Sequence, residues 1–144
     1  MRKINQNCKE YSFGRSNEEK GDQMSKITQF EDLNCWKEAR ILVKEIYAVS
    51  KNTPLGKDFG LKDQIQRAAV SVMTNISEGF SRYHTKETIR FLDFAQSSAA
   101  EVRSLLYVIE DLAYLSPEEA NRLRLMSLEV KKKILGLIKH LNTR

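Results

Sequence analysis

From Gly60 to Arg82 the chain reads GLKDQIQRAAVSVMTNISEGFSR. The apolar residues Leu61, Ile65, Ala68, Val72, Ile76 and Gly79 recur three or four apart, the interval that returns a side chain to the same face of a helix. Small residues (Ala68, Ala69, Ser71, Ser77, Gly79) punctuate that face and predict close approach by another backbone. Polar Asn75 and Glu78 stand beside the stripe, where burial requires hydrogen-bond partners. The segment is predicted as the central helix of an all-helical protein, from about Asp58 to Phe80.

Three further helices follow from the same periodicity. A first, from about Phe30 to Lys51, carries the stripe Leu33, Trp36, Ala39, Val43, Ile46 and Tyr47. Glu31 and Asp32 fall in its first turn, where they complement the helix dipole, and Asn52-Thr53-Pro54 with Gly56 ends it. Trp36, with apolar neighbours three residues away on both sides, is expected to be a core anchor rather than a ligand platform. A third helix, from about Lys86 to Tyr114 with Thr85 as its N-cap, repeats Leu92, Ala95, Ala99, Val102, Leu106, Ile109 and Ala113. A second seam beside it (Phe91, Phe94, Ser98, Leu105, Val108, Leu112) predicts burial on more than one side. Ser116-Pro117-Glu118-Glu119 is a helix start with a serine N-cap, proline at N1 and glutamate at N3, a capping box. The fourth helix runs from there to about Leu141.

Short loops predict an antiparallel, up-down-up-down four-helix bundle in an all-α fold. Leu125, Met126, Leu128, Leu135 and Ile138 lie off the seam of the fourth helix. Spare apolar positions of this kind predict oligomerisation.

At 144 residues the chain supports one domain, placed at residues 26–144. Residues 1–25 are polar and aperiodic and are read as a disordered or non-native tail. Either Met1 or Met24 is the natural start. The tail holds five basic and four acidic residues of the total 24 and 19, so the net charge of +5 becomes +4 for the body. Two cysteines without metal-ligand spacing predict a reducing, cytoplasmic setting. No apolar run is long enough for a membrane span, and no apolar segment follows the basic N-terminus as a signal peptide requires.

Candidate chemistry is sparse. No acidic residue is followed three positions later by histidine, as inward-facing metal pairs in bundles require. The histidines, His84 and His140, stand in no nucleophile–base pattern, and no phosphate-binding glycine loop occurs. The chain is therefore read as a non-enzyme without metal or cofactor. Asn75 and Glu78 are the best polar site, and their plainer reading is a hydrogen-bonded pair fixing helix register or a subunit contact.

Residues 116–144 carry seven basic and three acidic groups, a net +4. On a heptad wheel Lys132 and Lys139 share the outermost position, with Arg124 and Lys131 on one flank and Lys133 on the other. This is either a phosphate-binding stripe or an ordinary solvated face. The helix has no interleaved base-stacking aromatics, so base-specific reading is not expected.

These residues resemble a known family. Phe30-Glu31-Asp32-Leu33 with Trp36-Lys37 and Ala39 is similar to its opening signature. Gly60-Leu61, Gln64-Ile65, Arg67 through Val72, Asn75-Ile76, Glu78-Gly79 and Arg82 resemble its central motif. Arg90-Phe91-Leu92 with Ala95, Ser98 and Glu101 resembles its third-helix motif. The family is that of bacterial four-helix-bundle proteins encoded within intervening sequences of large-subunit ribosomal RNA genes, with accessory proteins of diversity-generating retroelements as relatives. Ser77 stands where the family commonly has alanine, and Ser97 where it commonly has glycine. The resemblance implies a homopentameric barrel with a basic surface. It implies binding to structured RNA or an RNA–DNA hybrid, or an accessory role beside a reverse transcriptase. The residues expected to contact nucleic acid are Arg82, Arg124, Lys131, Lys132, Lys133 and Lys139.

Overall fold

The computed structural model describes residues 28–143; the tail assigned to residues 1–25 and the choice of start lie outside them. Four helices account for most of the described chain: α1 (Asn34–Asn52), α2 (Phe59–Phe80), α3 (Thr85–Asp111) and α4 (Pro117–Asn142). Two 3-10 turns, Phe30–Asp32 and Pro54–Lys57, precede α1 and α2, and there is no strand among the described residues. Each helix packs on the next, and α1 also packs on α4.

The predicted first helix is divided. Phe30, Glu31 and Asp32 form the separate 3-10 turn, and Leu33 is extended at φ −73°, ψ 125°. The break turns Leu33 into the core, where it is 1% exposed, so burial of one leucine outweighs continuity of the helix. The acidic pair therefore sits in the 3-10 turn and not in the first turn of α1. Trp36 is a core residue, meeting Phe30 edge-on at 5.1 Å between ring centroids.

The α1–α2 corner is closed by local hydrogen bonds. Ser50 and Thr53 donate their hydroxyls to the carbonyls of Ile46 and Val49, at 2.7 and 2.6 Å. Leu55 is fully buried between the helices. Asp58 caps α2 by accepting from the Leu61 amide at 3.2 Å, and its other oxygen accepts from the Tyr114 hydroxyl at 3.0 Å. That bond ties the start of α2 to the α3–α4 loop and pushes the Tyr114 phenol above its ordinary range.

α3 begins at Thr85 with His84, not Thr85, in the capping position and no side-chain cap. It stops at Asp111, short of the expected Tyr114, because Ala113 takes a left-handed φ of 57°. The Tyr114 and Ala113 amides turn back to the carbonyls of Ile109 and Glu110, at 3.1 and 2.9 Å. This is a Schellman closure with alanine where glycine is usual. α4 starts as expected at Ser116-Pro117, with Ser116 Oγ accepting from the Glu119 amide at 3.2 Å. The Glu119 carboxylate points forward to Arg122, at 2.6 and 3.2 Å, so an ion pair takes up the group expected to complete the capping box.

The core has two contiguous groups. One joins Trp36 and Ala39 to Val72, Ile76, Leu92 and Ile134; the other joins Leu42 and Ile46 to Ile65, Leu106, Ile109 and Leu123. Ser127, fully buried on the α4 seam, is satisfied by donating to the Ala99 carbonyl of α3 at 2.6 Å. The small-residue face of α2 has the expected use at Gly79. A Cβ there would lie 3.1 Å from the Thr88 carbonyl and 3.2 Å from Phe91 Cβ, so its absence lets α3 approach.

Candidate functional site

Asn75 and Glu78 take different partners. Half-buried Asn75 donates to the carbonyl and hydroxyl of Ser71, both at 2.9 Å, and the Ser71 hydroxyl meets that of Ser98 on α3 at 2.8 Å. Glu78 is exposed and pairs with Arg82 at 3.0 Å. Asn75 is thus part of an α2–α3 polar seam, whereas Glu78 belongs to the surface.

Arg82 extends past the end of α2 and lies over the Phe91 ring at 4.5 Å. That contact covers its Nε, which is buried without a hydrogen-bond partner, while the far end of the guanidinium reaches Glu78.

The cations of α4 have unequal surroundings. Arg124 is 8% exposed; its guanidinium bonds Glu110 at 2.9 Å, reaches the Leu106 carbonyl at 3.5 Å and stacks over Tyr107 at 4.1 Å. It therefore faces α3 and not solvent. Lys133 pairs with Glu38 of α1, and Lys132 with Glu129 one turn back at 3.5 Å. Lys131 is half-buried and Lys139 exposed, and neither makes an ion pair within the described residues. Of the six cations expected to bind phosphate, Lys132 and Lys139 are the exposed ones, and of these two Lys139 makes no ion pair within the described residues.

Charge is divided between the two halves of the bundle. α1 and α4 together hold ten Lys and Arg against five Asp and Glu, a net +5. α2 and α3 hold five against seven, a net −2. Because α1 packs on α4, the positive helices are neighbours and the molecule is polarised. Four of the five carboxylates inside the positive half pair with its own cations: Glu38 with Lys133, Glu129 with Lys132, and both Glu45 and Glu119 with Arg122. These bonds hold Glu119 below the usual carboxylate range and push Arg122 up, so both stay charged.

Between α1 and α4 lies an open groove of about 410 Å³, floored by Ile41, Leu125, Met126 and Val130, with Glu38, Arg122 and Glu129 at its rim. Ile41 and Leu125 are 52% and 53% exposed. Two of the five spare apolar residues of α4, Leu125 and Met126, thus share a groove with Ile41 of α1, while Ile138 packs on the core and Leu135 stays exposed. Among the described residues no group of three or more His, Cys, Asp and Glu is arranged to hold a metal, and no helix is long and apolar enough to cross a membrane.

No curated protein matches the chain. A solved structure described as a protein with unknown function from the S23 ribosomal protein family of Bacteroides thetaiotaomicron is similar in fold. It is 23% identical, with a TM-score of 0.67, over 73% of this chain and 98% of that one. The family model described as 23S rRNA-intervening sequence protein matches residues 31–136. That span takes in α1, α2, α3 and most of α4, and the chain belongs to the 23S rRNA-intervening sequence protein family.

Proposed function

We propose that the protein is a non-catalytic, self-assembling helical bundle of the cytoplasm that binds structured RNA or an RNA–DNA hybrid through backbone phosphates, without reading sequence. The observation that carries this is the charge division, +5 on the adjoining α1 and α4 against −2 on α2 and α3. A one-sided basic surface attracts a polyanion and orients it. On α4 the contacts are Lys131, Lys132, Lys133 and Lys139, with Arg82 outlying; Arg124, neutralised by Glu110, is not among them.

The bundle is antiparallel, up-down-up-down. Supporting this, Glu38 meets Lys133 and Glu45 meets Arg122, so advancing along α1 retreats along α4. Ser71 with Ser98, and Ala99 with Ser127, are consistent with the same sense at the other junctions. The assembly is a homopentamer; five bodies of +4 carry +20, so one modest cluster becomes a ring of clusters.

The test is affinity for unrelated structured RNAs across a salt series, for wild type and a Lys131/Lys132/Lys133→Glu variant of unchanged mass. Weaker binding with a shallower salt slope in the variant supports the reading. Identical affinity and slope would leave these lysines an ordinary solvated face.

A second reading rests on the apolar α1–α4 groove: a protein scaffold or accessory subunit, for example to a reverse transcriptase as in the retroelement relatives, without direct nucleic-acid contact. Salt-independent behaviour toward RNA would select it.

A further inference from the structure

The outward flank of α1 carries a row of cations that the reading of α4 does not include. Lys37, Arg40, Lys44 and Lys51 are spaced three, four and seven apart, and Tyr47 falls between the last two. All five side chains are exposed, Tyr47 by 41%. At about 100° per residue they share an arc of about 80°, and Lys37 to Lys51 spans about 21 Å. No carboxylate of α1 interrupts the row. Glu38 and Glu45 lie on the other flank, bound by Lys133 and Arg122 of α4.

The two carboxylates at the start of α2 have partners of their own. Asp63 pairs with Arg67 at 2.9 Å, and Asp58 is held by the Leu61 amide and the Tyr114 hydroxyl. Glu31 and Asp32, in the turn before α1, stand exposed at one end of the row, and Glu118, at the start of α4, is exposed as well. The four cations themselves make no ion pair within the described residues.

We infer that this row is a binding track for unpaired RNA, with Lys37, Arg40, Lys44 and Lys51 on successive phosphates and Tyr47 stacking on a base. The inference rests on the nucleic-acid reading above and places its main contact on α1. A continuous line of cations with one exposed aromatic is the arrangement that binds single strands without sequence preference. An anionic membrane fits less well, because the apolar face of α1 is spent in the core, with Leu42 and Ile46 fully buried, and cannot enter lipid.

The test uses the full chain and a labelled oligouridine RNA, titrated across a salt series, with assembly mass measured for every variant. Reversing the row, Lys37/Lys44/Lys51→Glu, is expected to weaken binding at least ~10-fold and flatten the logarithmic salt slope by about 2, at about 0.7 per phosphate contact. Tyr47→Ala is expected to lose about 5-fold or more at unchanged slope, with Tyr47→Phe restoring it. If the α1 reversal changes nothing while Lys131/Lys132/Lys133→Glu weakens binding, the track lies on α4; this inference falls and the RNA reading survives. If wild type shows no salt-dependent binding to oligouridine but binds a structured RNA, this inference falls alone; if it binds neither, or binds anionic vesicles instead, both fall. A variant that loses its assembly mass would make the row a subunit contact, which also overturns the proposal.

Discussion

Arg124 of α4 reaches across to Glu110 of α3 at 2.9 Å, with its guanidinium stacked over the Tyr107 ring at 4.1 Å. The arginine is 8% exposed, so the pair fastens two helices where water screens it little. Removing either partner leaves the other charge poorly compensated. Glu110→Ala is expected to destabilise the fold by about 1–3 kcal/mol, read as a lower denaturation midpoint. Arg124→Lys should recover little of an Arg124→Ala loss, since an ammonium neither forks nor stacks. Equal stability of Arg124→Lys and wild type would show that the planar contacts contribute nothing.

Ala113 occupies the left-handed position that ends α3, at φ 57°. A side chain there costs roughly 1–2 kcal/mol that glycine avoids, partly offset by glycine's greater freedom when unfolded. Ala113→Gly should therefore raise stability by about 0.5–1 kcal/mol, visible as a higher melting temperature. A lower one would mean that the Schellman closure does not strain this residue.

Gly56 allows no such exchange in the opposite sense. A Cβ there would lie 2.5 Å from the Ser50 carbonyl oxygen, a backbone atom at the closed end of α1. Gly56→Ala must push the 3-10 turn away from α1 and should cost about 1–3 kcal/mol. A thermal melt unchanged from wild type would contradict that geometry.

Arg122 joins Glu119 on its own helix to Glu45 on α1, at 2.6 and 3.1 Å. Its hydrogen bonds hold the Glu119 carboxyl below the ordinary range, against the opposing effect of burial. A depressed carboxyl contributes stability that is present above its unfolded pKa and lost as pH falls through the lowered folded value. The pair is partly exposed, so the contribution is only about 0.2–1 kcal/mol. Acid titration of Glu119→Gln should lack this component while remaining otherwise parallel to wild type.

Self-assembly is tested through the groove. Ile41→Asp and Leu125→Asp place charge on its apolar floor without disturbing the core, since both residues are about half exposed. Light scattering should give wild type about five times the 16.7 kDa chain mass and either variant a smaller particle. A wild-type monomer at micromolar concentration would overturn the pentamer.

The periodicity of the chain located all four helices because their core faces repeat without interruption, as Leu92, Ala95, Ala99 and Val102 do on α3. Boundaries depended on tertiary contacts that no local pattern records. Leu33 leaves the helix to reach the core, and Ala113 turns left-handed to close α3. The site was legible only in part for a related reason. Arg124 and Lys139 are both cations on α4 in the sequence, but Glu110 and Tyr107, in a different helix, decide that the first is buried. The acids of α1 likewise look like neutralisers of its lysines until α4 is seen to hold them.

Binding of RNA phosphates by the polarised basic surface should show in solution. It is tested most directly by the affinity of the wild-type protein for two unrelated structured RNAs, measured at several salt concentrations. Both RNAs are expected to bind with similar affinity, log K falling linearly with log salt and steepening by about 0.7 to 0.9 for each phosphate engaged. Affinity that is absent, or that does not change with salt, would contradict it.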